Sequence, residues 1–414
     1  MRTPLPDTVA TWLAILLMSA AAGAQPGPST RPNGPEVWLG PAPKGQAGRS
    51  TVLDLLSPEV DWPALKQNVR GLKLYIDEIS QMDPATLQNL AGLIRQHDIP
   101  VIVECGGTLG GAGLDDNNGV HSAKIELANL KKFYDAGGRI DMLDLDHPIC
   151  RLIWPEGPNP PYNGAKHSDF TIATAADQLM NYMHLVRTTI KAWPGGNDIR
   201  FNLLTNFPNW GYRGGPSYHN RTFKNGTITN HTGNQPPFGQ DWGDYDEVIR
   251  TVLAKAKADP RGIRFAGVTV DNPCDYLLGE APTPPRAPAW DPGTIDWMAR
   301  VRDLEDFVRS QGLQFNLIVN SERGGQASNQ MFYEDTLRMV KMYKAAGGRP
   351  DRYIIQSWYP HPDHVTPQAG PHGMLALAAA VAAVETWPAR MPIPATGTRM
   401  AAPGTRPASP ATAP

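Results

Sequence analysis

Eight runs of strand length, each followed by a segment with apolar residues at helical spacing, constrain this chain more than any other feature. The runs cover 36–40, 72–76, 101–104, 140–150, 199–205, 263–270, 313–319 and 352–358. The helical segments are 61–69, 83–98, 122–136, 173–192, 244–258, 294–310, 329–345 and 374–385. Strands so continuously apolar need cover on both faces, which a parallel sheet wrapped by its crossover helices supplies. The pattern predicts an α/β fold, a closed (β/α)8 barrel of the TIM type, as a single domain with long loops at its C-terminal face; an open doubly wound sheet is the alternative.

The ends of the chain read differently. Residues 1–24 carry Arg2, an apolar run from Val9 to Met18 and the small-residue stretch Ala22-Gly23-Ala24, the form of a secretory signal peptide. Residues 25–35 form a Pro/Gly/Ser linker and 392–414 a Pro/Ala/Thr-rich tail, leaving 36–391 for the barrel. A secreted or periplasmic protein is expected. The later apolar stretch from Met374 to Val384 is too short to span a membrane. A formal net charge of -2 without a basic run argues against nucleic acid as a partner. Oligomeric state is not readable from the sequence.

Polar residues gather at the strand ends. Alternation places Met142, Asp144 and Asp146 on one face of the fourth strand and Leu143 and Leu145 on the other. Asp77, Glu104, Asn206, Asp271, Asn320, Glu322, Gln356 and Trp358 close other strands. In a barrel these groups converge on one mouth, where buried carboxylates cost several kcal/mol unless paired or used. The connections after strands 4, 5 and 6 are long and carry Trp154, Trp210, Tyr212, Tyr218, Trp242, Tyr276 and Trp290. Flat apolar faces beside amides and hydroxyls suit a saccharide.

Glycoside cleavage needs one carboxylic acid to protonate the leaving oxygen and one carboxylate to attack or to activate water. Asp146, outermost on its strand, is the first candidate, with Glu322 or Asp271 as its catalytic partner and Asp144, Glu104 and Asp77 in support. Trp358, Gln356, Asn206, Asn320, Trp210 and Tyr276 are the expected substrate contacts. The expectation is an exported glycoside hydrolase acting on a poly- or oligosaccharide without a cofactor. A non-catalytic carbohydrate-binding barrel is the alternative, and a metal-dependent lyase or isomerase a further one.

Asp141-Met142-Leu143-Asp144-Leu145-Asp146 resembles the D-x-x-D-x-D signature of family 18 glycoside hydrolases, the chitinase type. Trp358 resembles the Trp flooring that family's substrate site, and Gly106-Gly107 is similar to its Gly-Gly pair. The resemblance implies a glycosidase-like barrel. Where the family's catalytic Glu would stand, this chain has Pro148, so the family's substrate-assisted mechanism is not implied. Barrels with acids on strands 4 and 7 are similar to the Asp146 and Glu322 arrangement, without the usual Asn-Glu on strand 4.

A metal site is not expected. Alternation turns His147 toward the helices, and no HxH or HExxH spacing occurs. His361 and His364 read as residues of a solvated loop. Cys105 and Cys150 follow neighbouring strands, and a disulfide between them is expected, with Cys274 left over. The stretch GGTLGGAG lacks the Lys-Ser/Thr of a phosphate loop. Asn220, Asn225 and Asn230 each open a glycosylation sequon. Gly137-Gly138-Arg139 and Gly347-Gly348-Arg349 are matching helix stops.

Overall fold

The computed structural model describes residues 34–109, 117–153, 170–215, 217–218, 220–222, 228–230, 243–281, 295–367 and 370–386. The expected signal peptide, most of the linker, the terminal tail, Asn225, Trp154, Trp242, Trp290 and part of GGTLGGAG lie outside these residues.

Eight parallel strands close into a barrel: β1 (Glu36–Gly40), β2 (Gly71–Tyr75), β3 (Val101–Cys105), β4 (Met142–Asp146), β5 (Arg200–Asn206), β6 (Gly267–Asp271), β7 (Gln314–Val319) and β8 (Arg352–Gln356). Each strand pairs with its neighbours in sequence and β1 pairs with β8, so the ring has no open edge. An open sheet is thereby excluded. A short antiparallel pair, Asn220–Thr222 with Ile228–Asn230, stands apart in the β5 to β6 connection.

Alternation sorts each strand as the sequence implied. Leu143 and Leu145 face outward into the main core beneath the helices, fully buried with Ala123, Leu130, Leu179 and Met183. Truncating either leucine to alanine would cost about 2–5 kcal/mol. The inside of the barrel is unusual. A layer of Trp38, Ile102, Met142, Leu204, Ile318 and Ile354 fills it in part, but Lys73, Asp144, Asn202, Thr269, Asn316 and Arg352 are buried there too. Such groups persist in an interior only when their hydrogen bonds are met.

Most of their polar atoms meet one another, Asn202 Oδ1 being without a protein partner. Lys73 Nζ lies 2.8 Å from Glu104 Oε2 and 3.2 Å from Asp144 Oδ2. Asp144 Oδ1 accepts from Asn202 Nδ2 at 2.8 Å and from Thr269 Oγ1 at 3.0 Å. Asn316 Nδ2 donates to Thr269 Oγ1 at 3.2 Å and accepts at Oδ1 from Arg352 at 3.0 Å. Arg352 Nε closes the series on Glu36 Oε2 at 3.0 Å. One polar chain thus runs from Glu104 near the mouth to Glu36 at the base.

The helices start and stop where local chemistry directs. Asp83 caps Pro84–Gln96 by accepting from Thr86 N at 2.9 Å, with proline in the first turn. Asp61 caps Trp62–Asn68 in the same way at 3.0 Å. The two Gly-Gly stops are built alike: Gly137 and Gly347 take φ of 83° and 84°. Gly138 N and Gly348 N donate back to Phe133 O at 2.9 Å and Tyr343 O at 2.8 Å. The likeness extends two residues past the arginines. Asp141 accepts from Val101 N and Asp351 from Phe315 N, each at 3.0 Å, so each acid holds the start of the preceding strand.

Two element boundaries differ from expectation. β2 ends at Tyr75 and the chain turns at once into a helix, Ile76–Gln81. Asp77 and Glu78 fall in its first turn, a favourable place for acids, and the exposed one is Asp77. Likewise Glu322 opens the short helix Glu322–Ala327 behind the cap Ser321, rather than ending a strand.

Candidate active site

The mouth is built from the last inward residue of each strand. Register sets Tyr75 beside Glu104, Glu104 beside Asp144, and Asn206 beside Asp271. Asp146, Asp271, Glu104 and Lys73 are close enough to bias one another's charge.

Asp146 is held from two sides. Its Oδ2 accepts from Arg151 at 2.5 Å, and its Oδ1 pairs with His147 Nδ1. Burial would push its carboxyl up, but His147 and Arg151 outweigh burial and hold it well below the usual carboxylate range. Asp146 is therefore an anion at any ordinary pH. His147 corrects the expectation drawn from alternation. Its φ of 51° swings the ring out of the strand pattern. There its Nε2 accepts from Asn206 N at 2.8 Å while Nδ1 meets Asp146.

Asp271 has the opposite environment. Burial pushes its carboxyl up to about 6, against the pull of Lys73 and of Asn320, whose Nδ2 donates to Asp271 Oδ1 at 3.2 Å. Glu104 is also pushed above its ordinary value by burial, with Lys73 opposing and Asp146 and Asp144 adding to the rise. For Lys73, burial alone would pull the ammonium down. Glu104 and Asp144 outweigh it and hold the group above the usual lysine value.

Glu322 lies in a second cluster. Its carboxylate hydrogen-bonds the Tyr276 hydroxyl, and its backbone N–H donates to Asp275 Oδ1 at 3.1 Å. Burial and Asp275 raise it, with Tyr276 opposing. Of the two partners expected for Asp146, the geometry brings Asp271 into its neighbourhood.

The expected substrate contacts divide. Trp358 stands 39 % exposed, tilted on the Tyr75 ring at 4.9 Å between centroids. Gln356 and Asn320 are buried with Oε1 and Oδ1 lacking a protein partner, as is Oδ1 of Asn206. Gln356 and Asn206 end β8 and β5, and Asn320 follows the last residue of β7. Trp210 does not join them: it is 2 % exposed, donates from Nε1 to Thr205 Oγ1 at 2.6 Å and packs on Tyr245. Tyr276 is buried against Tyr218 and Trp297, with its hydroxyl at Glu322. The loop aromatics among the described residues thus mainly pin loops to the barrel.

Two residues of this region were missed in the sequence. Lys73 interrupts an apolar strand at an inward position, a signal that alternation carries. Glu78 sits one place beyond the acid that was expected; it is buried, bonded by Ser50 Oγ and pushed up to about 7 by burial. Nothing in the sequence marked where β2 stopped. The expected Cys105–Cys150 bridge is absent, and all three cysteines are free and buried. Cys150 Sγ donates instead to His147 O at 3.4 Å. Among the described residues no group of three or more His, Cys, Asp or Glu converges to hold a metal ion. No helix of the described residues is long and apolar enough to cross a membrane.

No protein-family model matches the chain, and no curated protein matches it in sequence. Solved structures similar to it include the β-amylase catalytic domain from Paenibacillus polymyxa, at 11 % identity over 84 % of this chain and 98 % of that one, with a TM-score of 0.45. A fungal β-1,4-galactanase is similar at 8 % identity over 84 % and 94 %, TM-score 0.44. So is a 3-keto-D-glucoside 4-epimerase from E. coli, at 9 % identity over 85 % and 99 %, TM-score 0.38. At such values no activity passes from these proteins to this chain.

Proposed function

We propose that this chain is an exported glycoside hydrolase that cleaves a poly- or oligosaccharide at the barrel mouth. Asp146 is its anionic carboxylate and Asp271 its proton donor. One observation carries the reading: two carboxyls at the same mouth have environments that drive their protonation apart, Asp146 downward and Asp271 upward. Glycosidic cleavage by an acid and a base requires that division of labour. Asp271 gives its proton to the leaving oxygen, while Asp146 attacks the anomeric carbon or takes a proton from the attacking water. Trp358 offers a flat face to a sugar ring, and the amides of Asn206, Asn320 and Gln356 suit its hydroxyls. Glu104, tied to Lys73, supports the pair.

A lyase acting through a lysine imine is disfavoured. Such a lysine must be neutral to attack a carbonyl, and Lys73 is held as an ammonium between two acids.

The test is a screen of the purified protein against a panel of polysaccharides, reading new reducing ends and thermal shift in the same wells. New reducing ends that vanish in Asp146→Asn and Asp271→Asn support the reading. A thermal shift without cleavage would replace it with a carbohydrate-binding barrel.

A further inference from the structure

Glu126 lies on the helix Asn118–Asp135, outside the barrel behind β3, and is 1 % exposed. Its carboxylate reaches the turn that follows β3. Gly106 N donates to Oε1 and Oε2 at 3.0 and 2.8 Å, Thr108 N to Oε1 at 3.1 Å and Thr108 Oγ1 to Oε1 at 2.9 Å. The Tyr182 hydroxyl, on the next helix Ile172–Ala192, donates to Oε2. A buried carboxylate with four donor groups is fully committed and costs far less than a bare charge.

The turn it grips touches both sides of the mouth. Glu104 lies two residues before Gly106. Gly106 takes φ of 88° and packs so closely on β4 that a Cβ there would stand 3.3 Å from Asp146 N and 3.4 Å from Leu145 Cα. A Cβ on Gly107 would lie 4.0 Å from Arg151 Nη2, the guanidinium nitrogen that binds Asp146. The turn therefore lies over the Arg151–Asp146 ion pair.

We infer that Glu126 is a positioning residue of the mouth: by clamping the Gly106–Thr108 turn from outside the barrel, it holds Glu104 in place and limits how far solvent reaches the partly exposed Asp146–Arg151 pair. The inference rests on the proposed role of Asp146 and extends it to a residue that touches neither substrate nor acid. Around Glu104 stand Lys73, Tyr75, Asp144, Asp146 and Arg151; around Asp146 stand His147, Arg151, Cys150, Glu104 and Asp271. Releasing the turn changes none of these charges and admits more solvent among them, so each carboxyl moves toward its ordinary titration.

The experiment is a carbon-13 titration of the side-chain carboxyls in the intact protein and in Glu126→Gln. Signals are assigned by their loss in Asp146→Asn and Glu104→Gln. The amide at 126 cannot accept from all the donors the carboxylate serves. The expected result is convergence, with the Asp146 midpoint rising and the Glu104 midpoint falling by about one pH unit or more. Unchanged midpoints in a folded Glu126→Gln protein would overturn the inference, whatever its melting temperature. Should that variant fail to fold, Thr108→Val decides: it keeps Glu126 and removes one donor, so the same convergence is expected in smaller measure, and none would be fatal. The readout needs no substrate. A chain that cleaves no polysaccharide would remove the glycosidase reading and leave this test standing.

Discussion

Asn206 donates its backbone N–H to His147 Nε2 at 2.8 Å, and this bond decides which ring nitrogen carries the proton. With Nε2 accepting, Nδ1 bears hydrogen and presents it to Asp146. β5 thereby fixes a donor for the carboxylate at the end of β4. His147→Gln keeps a side-chain donor, whereas His147→Ala removes it. Turnover is expected to fall about tenfold in the glutamine variant and 100-fold or more in alanine, with KM little changed. Initial rates on the substrate found in the screen would check the order, and equal losses would count against the donor role.

Asp271 predicts a pH signature in stability. Its folded carboxyl is raised to about 6 from an unfolded value near 4, so between these the folded state holds a proton that the unfolded state has lost. Stability from this group is full below pH ~4, declines as pH rises toward ~6 and is flat above. Asp271→Asn should remove that slope while lowering turnover at least about 100-fold. Urea melts at half-unit intervals of pH give the slope directly.

Asp146 has the opposite sign. Its folded carboxyl is depressed, so its stabilisation is present at neutral pH and is lost only in strong acid. Arg151→Met leaves a partly buried anion with His147 alone, at a cost of about 1–3 kcal/mol at pH 7. The deficit should shrink below pH ~4, where the variant's Asp146 is protonated. A deficit that stays constant down to pH 3 would remove the ion pair as its cause.

Lys73 is fully buried with its charge met by Glu104 and Asp144. Lys73→Met alone strands two acids and should cost about 3–5 kcal/mol. Lys73→Met combined with Glu104→Gln and Asp144→Asn removes the stranded charges, so the triple variant should regain part of that loss. Denaturant midpoints of the two proteins compare them, and a triple variant less stable than the single would contradict the charge balance.

The two tryptophans expected at the mouth should now separate. Trp358, 39 % exposed, predicts a Trp358→Ala protein with near-normal melting and a KM raised about tenfold. Trp210, 2 % exposed and hydrogen-bonded to Thr205, predicts a loss of about 3–5 kcal/mol in Trp210→Ala.

The barrel was legible because it is written in periodicity. Leu143 and Leu145 against Asp144 and Asp146 state which face of β4 is inside, and seven further runs repeat the message. What escaped depends on single backbone angles or distant partners. His147 leaves the alternation through one positive φ, and Asp77 leaves the mouth because a helix begins at Ile76, the last residue of the apolar run. Trp210 looked like a sugar platform, but its indole nitrogen is met by Thr205, five residues earlier. The cysteines were adjacent in topology, yet Cys105 packs outside the barrel and Cys150 opens a separate short helix. Glu126 carried no signal at all, being one acid among the polar residues of an amphipathic helix.

The paired Gly-Gly-Arg-x-Asp turns stand before β4 and β8, four strand-helix units apart in a ring of eight. They therefore sit at opposite ends of a diameter across the barrel floor, where Asp141 ties β4 to β3 and Asp351 ties β8 to β7. At two facing points of the floor a carboxylate thus joins neighbouring strands in addition to the backbone ladder between them.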